Sequence, residues 1–127
     1  MDQKQKIFVL EEANALLPQL EGLLAEFEEK QETFRRLQDR LFFAELLEDT
    51  SPPDEEICQM ENRLTEMEKE ICKIRELGCI LRHPEKGLVD FPAKRGEEWV
   101  YFCWRRGEKQ IEFYHSLRGG FFERQKL

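Results

Sequence analysis

From Ala13 onward, apolar side chains recur at Ala13, Leu16, Leu20, Leu23 and Phe27, then at Phe34, Leu37, Leu41 and Ala44, with one polar interruption at Lys30. Steps of three and four put these positions on one stripe of an α-helix and read as a heptad seam. A second seam, Ile57, Met60, Leu64, Met67, Ile71 and Ile74, has no interruption. Between them Asp49-Thr50-Ser51-Pro52-Pro53-Asp54 supplies a turn, with Ser51 suited to cap the second helix, Pro52 to its first position and Asp54 to its first turn. Two seamed helices joined by so short a connection fold back on each other, which predicts an antiparallel coiled-coil hairpin over residues 10–77 with its turn at 49–54. Leu41 then falls near Ile57 or Met60, Phe34 near Leu64 or Met67, and Phe27 near Ile71. The helix begins near Leu10 with a weak cap, because Val9 carries no side-chain acceptor, while Glu11 and Glu12 suit the positive end of the helix dipole. Pro18 predicts a kink or break, and Gly78 stands where a left-handed C-terminal cap belongs. Leu17, Leu24, Phe42, Phe43, Leu46 and Leu47 lie off the main seam and need a cover.

After Gly78 the period changes to two. Cys79 to Arg82 reads as a first strand, His83 to Gly87 as a turn, and Leu88 to Phe91 as a second strand that Pro92 ends. Lys94-Arg95-Gly96-Glu97 is the next turn, Trp99 to Arg105 a third strand, Arg106 to Lys109 a tight hairpin, and Ile111 to Tyr114 a fourth strand. Residues 116–127 show no period and read as a loop and tail against the sheet. The fold class is therefore α+β: one domain over 1–127, in which the hairpin carries a three- to four-stranded antiparallel sheet over 79–115 at its C-terminal end.

Composition narrows the function classes. A charged fraction of 37% with a mean hydropathy of -0.68 fits a long exposed helix system, and ten Phe argue for a folded core. No apolar run is long enough for a transmembrane span or a secretory core, so the expected address is the cytoplasm. The net charge of -7 divides unevenly, about -10 over residues 1–78 and +3 over 79–127. That balance disfavours general nucleic-acid binding but leaves room for a local anion site near the C-terminus. Cys58, Cys72, Cys79 and Cys103 show no CxxC spacing, and with only His83 and His115 available no zinc-finger pattern can be written. Free thiols, no metal and no cofactor are the expectation.

Asp90, Glu108 and His115 are the candidate catalytic residues, since they fall at strand ends or in turns where a carboxylate can orient an imidazole, and Arg105 could clamp an anionic group or pair with Asp90. The strands also carry Trp99, Tyr101 and Trp104; alternation puts Trp104 opposite the other two, so part of this set is core. No GxSxG, glycine-rich phosphate loop or metal-ligand spacing is present, which favours a non-enzymatic role.

The segment Phe8 to Pro18, then Gly87 to Ala93, Cys103-Trp104-Arg105, Glu108, His115, Gly120-Phe121 and Arg124-Gln125, resembles an uncharacterised prokaryotic family, domain of unknown function 2203. The resemblance spans nearly the whole chain, departs from the family pattern at Val9 and Lys126, and brings no activity with it. It implies that Glu12 and Asn14 on the first helix belong with the sheet residues as one unit; the candidate ligand-binding residues are Asn14, Trp104, Arg105 and Arg124. The leading functional expectation is a scaffolding or interaction module that forms a homodimer, or meets another protein, through the hairpin. The alternative is a small-ligand binding protein or enzyme using Asp90, Arg105, Glu108 and His115.

Overall fold

In the computed structural model, which describes residues 6–48 and 54–127, the helical period becomes α1 (Leu10–Ala15), α2 (Leu17–Glu48) and α3 (Asp54–Glu76). Val9 indeed supplies no cap; instead the Glu12 carboxylate accepts the Val9 amide at 3.3 Å, so the first turn is closed from inside. The break falls at Leu16, whose amide bonds to the Ala13 carbonyl at 3.1 Å. Pro18 is the second residue of α2, where amides have no helical partner and a missing N–H costs nothing. The turn expected at 49–54, with Ser51 as cap, lies outside the described residues except for Asp54, which opens α3.

Helices α2 and α3 run antiparallel along each other, as the Lys30–Glu70 pair at 2.9 Å and the Arg40–Glu56 pair show. The polar interruption of the first seam is thereby explained, because Lys30 meets a Glu70 that is only 1% exposed. Burial works against the charged form of Glu70, but the Lys30 hydrogen bond and the charges of Lys30 and Lys73 outweigh it and hold the carboxyl below its ordinary range. The same hydrogen bond raises Lys30, against its own partial burial. Along the seam Leu41, Met67 and Ile74 are buried, whereas Ile57 and Leu64 stay 38% and 44% exposed. Leu17 and Leu24, which the helical pattern leaves uncovered, are buried in the common core with the sheet.

Among the described residues the sheet has five strands, one more than the alternation predicts at most: β1 (Ile80–His83), β2 (Leu88–Arg95), β3 (Glu98–Arg105), β4 (Phe113–Ser116) and β5 (Gln125–Lys126), antiparallel in sequence order. Pro92 does not end β2. Its carbonyl accepts the Phe8 amide at 2.7 Å, so its N side faces the same way, beyond the reach of β1 and away from β3, where no ladder donor is missed. The tail is not a plain loop either: a 3-10 turn at Phe121–Glu123 returns it to pair Gln125 and Lys126 with β4, covering an edge that would otherwise stay open. Strand β4 begins two residues later than its pattern suggests, because residues 106–112 are taken up by a longer connection tied to the helices.

One face of the sheet packs on the helices. Val89, Phe91, Ala93, Val100, Phe102 and Trp104 form a core with Leu20, Leu24 and Ile74, and Phe8 sets its ring edge-on to Phe91 at 5.2 Å. Polar ties fix the sheet against α2: Glu21 accepts the Gly107 amide at 3.0 Å and the Arg106 guanidinium at 3.1 Å, and Arg106 also reaches Glu28. Gly87 is required beside this tie, since it holds a φ of 67° and a Cβ there would lie 2.5 Å from that of Arg106.

The Lys30–Glu70 pair yields a stability prediction. Lys30→Met alone should destabilise by about 1–3 kcal/mol, less than the loss of a fully buried partner because Lys30 is a quarter exposed, while Lys30→Met with Glu70→Leu should recover most of that. The depressed carboxyl of Glu70 gives stability that is present above its unfolded value and lost as pH falls through the folded one; the raised Lys30 gives stability that is lost as pH rises through its folded value. Chemical denaturation across pH should therefore show a flatter acid limb for the double variant than for wild type, and identical limbs would contradict the assignment.

Candidate functional site

The turn between β2 and β3 sets the site. Arg95 pairs with Glu98 around Gly96 and Glu97, and counting back along the ladder puts Asp90 directly opposite Cys103. On the other side of β3, Tyr101 pairs with His115. Alternation aims Asp90, Cys103 and His115 at the face away from the helices. Strands β2 and β4 lie roughly 9–10 Å apart with β3 between them, twice the spacing of neighbouring strands. The small Cys103 side chain lets the carboxylate and the imidazole meet over it, with His115 Nε2 3.1 Å from Asp90 Oδ1. All three residues are at most 3% exposed, and one ligand atom from each lies within 4.8 Å of the others.

Arg82 completes the group. It occupies an irregularity of β1, where Leu81 pairs with Val89 but His83 with Leu88, and its Nε donates to Asp90 Oδ2 at 2.9 Å. Its guanidinium also lies 5.0 Å from the Tyr101 ring centre. His115 Nδ1 is 2.8 Å from the Ser116 carbonyl, which can only accept, so that nitrogen carries a proton. Burial, reinforced by the Asp90 charge, pushes the Cys103 thiol up to about 12, with Arg124 working in the other direction. The tail folds over this face and leaves a solvent-open cavity of about 330 Å³, lined by Arg82, Leu88, Asp90, Cys103, His115 and Phe121 together with Leu117 and the glycine pair.

The other residues singled out from the sequence do different work. Arg105 is not the partner of Asp90; it pairs across strands with Leu88 and stays exposed, its guanidinium 5.8 Å from the Phe121 ring centre. Glu108 sits outside the cavity, accepting the Arg105 amide at 2.6 Å and holding Arg124 with both oxygens at 3.1 Å. Arg124 is stacked between Phe113 and Phe121, 4.1 Å from each ring centre. Asn14 accepts the Ile111 amide at 2.8 Å and so docks α1 on the β3–β4 connection. Trp104 is fully buried in the core, its indole N–H given to the Glu108 carbonyl. The alternation reading missed Arg82 and Cys103; the register of the Gly96-Glu97 turn was the signal that places Cys103 beside Asp90.

Residues 6–127 match the model of a family described as an uncharacterized conserved protein, DUF2203. The chain belongs to DUF2203. No curated protein and no solved structure matches it. Of the segments on which the family resemblance was read, Asp90, Cys103, His115, Gly120 and Phe121 line the cavity of this DUF2203 chain, while Asn14, Glu108 and Arg124 hold its frame.

The pairing of Asp90 makes a prediction that separates two arginines. Arg82→Met should lower stability by about 1–3 kcal/mol, because it removes a charged donor from a buried carboxylate, whereas Arg105→Ala should cost about 0.5 kcal/mol or less. Equal shifts in the midpoint of thermal unfolding would contradict the geometry. Alkylation at neutral pH should likewise modify the exposed Cys58 and Cys72 but spare Cys103 and Cys79, the latter raised by burial to about 11; peptide mass mapping reads this directly.

Proposed function

We propose that this DUF2203 protein binds a small polar ligand in the cavity on the outer face of its sheet, with Asp90, Cys103 and His115 as the floor and Arg82 as the residue that holds the Asp90 carboxylate in place. The observation that carries the reading is a carboxylate, a thiol and an imidazole, each at most 3% exposed, grouped beneath an opening to solvent. Burying such groups is costly, and apolar residues of similar volume would fill the same space at least as stably, so the cluster is best understood as a site. Binding is favoured over catalysis because the raised Cys103 thiol is a poor nucleophile. A reducing compartment, the cytoplasm, suits a site that includes a free thiol. Titration of isotopically labelled protein with mixtures of small metabolites tests this: amide shifts gathered at Asp90, Cys103, His115 and Gly119 to Phe121 support it, and shifts gathered elsewhere or absent contradict it.

A second reading rests on the hairpin. Phe42, Phe43, Leu46 and Leu47 are 60%, 56%, 64% and 77% exposed near its far end, a density of apolar surface that a monomer rarely shows. In this reading the two arms form an antiparallel coiled coil that joins two copies of the chain into a homodimer, or meets another protein, and Leu24 plays no part because the sheet already covers it. Light scattering at micromolar concentration should give twice the chain mass, and Phe43→Glu with Leu47→Glu should return it to one. A monomer in wild type removes this reading and leaves the cavity untouched.

A further inference from the structure

At the corner where Asp90, Cys103 and His115 meet, a carboxylate oxygen, a thiol sulfur and an imidazole nitrogen lie within 4.8 Å of one another. His115 gives its Nδ1 proton to the Ser116 carbonyl at 2.8 Å, so a singly protonated ring presents the lone pair of Nε2. That lone pair faces Asp90 Oδ1 at 3.1 Å, another acceptor, and the Cys103 sulfur belongs to the same group within 4.8 Å. Arg82 does not fill the corner, because its bond goes to the other carboxylate oxygen, Oδ2. An oxygen, a nitrogen and a sulfur donor converging on one point from three strands make the geometry of a metal-binding corner.

We propose that the corner is a site for one divalent transition-metal ion of zinc's kind, held by Asp90 Oδ1, Cys103 Sγ and His115 Nε2, with a fourth position open to the cavity. The inference rests on the ligand-binding reading and names its ligand class. An oxygen, a nitrogen and a sulfur donor together suit zinc better than magnesium or calcium, which take oxygen ligands. Bonds of roughly 2.0–2.3 Å in a tetrahedral site imply ligand atoms roughly 3.3–3.7 Å apart, which the 3.1 Å separation nearly meets and the 4.8 Å limit approaches after small side-chain rotations. The outer partners of such a site are also in place, with Ser116 orienting the imidazole and Arg82 the carboxylate. On binding, the Cys103 thiol releases its proton to solvent and coordinates as thiolate; the thiolate and the Asp90 carboxylate then balance the two charges of the metal. The three ligands come from three strands, so no spacing in the sequence announces them.

The test uses the full chain with the exposed Cys58 and Cys72 changed to serine, stripped by chelator and dialysed, then titrated with zinc by calorimetry and with cobalt as a spectroscopic probe. The expected result is one zinc per chain and a cobalt spectrum with a thiolate-to-metal charge-transfer band and the strong visible bands of a tetrahedral site. Cys103→Ser should abolish the charge-transfer band and weaken zinc binding by at least about 100-fold. If Cys103→Ser fails to fold, Asp90→Asn and His115→Gln carry the same affinity comparison. Absence of stoichiometric zinc binding, or a cobalt spectrum that Cys103→Ser leaves unchanged, overturns the proposal. If zinc fails while small metabolites still shift the amides of Asp90, Cys103 and His115, the metal assignment falls and the binding reading stands; if neither binds, both fall.

Discussion

The outer half of the molecule is arranged around the Asp90 carboxylate, which lies nearly out of water. Its removal from solvent costs several kcal/mol unless donors replace the lost hydration. Arg82 donates to one oxygen and His115 stands 3.1 Å from the other, and each imposes something on the chain. Arg82 reaches inward from an irregular stretch of β1, His115 has to stand on β4 across an intervening strand, and residue 103 has to be small enough for the two groups to meet above it. The tail then closes over this face, with Arg124 stacked between Phe113 and Phe121 and anchored by Glu108.

The inner half supplies the rigidity that such a cluster needs. Trp104, Phe91 and Val100 press against Leu20 and Leu24, and the turn after β3 is held to α2 through Glu21, Arg106 and Glu28. Asn14 fastens the next connection to α1. A site on strands backed by a packed core and charged ties moves less than one built on loops, so the positions of Asp90, Cys103 and His115 are set by the fold before any ligand arrives.

The helical arms were legible because a period of three and four survives any tertiary context that buries one stripe, and even the interruption at Lys30 marked a real feature, its pairing with Glu70. The faces of the strands were legible for the same reason, since alternation alone set Trp104 on the face opposite Trp99 and Tyr101. Their partners were not. Reading the β2–β3 turn as Lys94 to Glu97 instead of centring it on Gly96 and Glu97 shifts the register by two, which keeps every residue on its face but replaces Cys103 with Tyr101 opposite Asp90. Pro92 gave a false stop because its edge is served by Phe8, a neighbour more than eighty residues away that no local rule includes. The fifth strand, two residues long, is too short to show a period and forms only because β4 offers an edge.

The central claim is that the polar cluster serves binding and not folding. Replacing Asp90 with Leu and His115 with Phe together removes the buried polar pair and keeps the volume apolar, while the half-exposed Arg82 turns to solvent. Thermal and denaturant unfolding of that double variant is the most direct measurement. The account predicts a cooperative transition at or above the wild-type midpoint, because buried polar or ionic groups replaced together by packed apolar ones are commonly neutral or stabilising. Loss of cooperative unfolding, or a midpoint far below that of wild type, would show the cluster to be a structural element of the sheet and contradict the account.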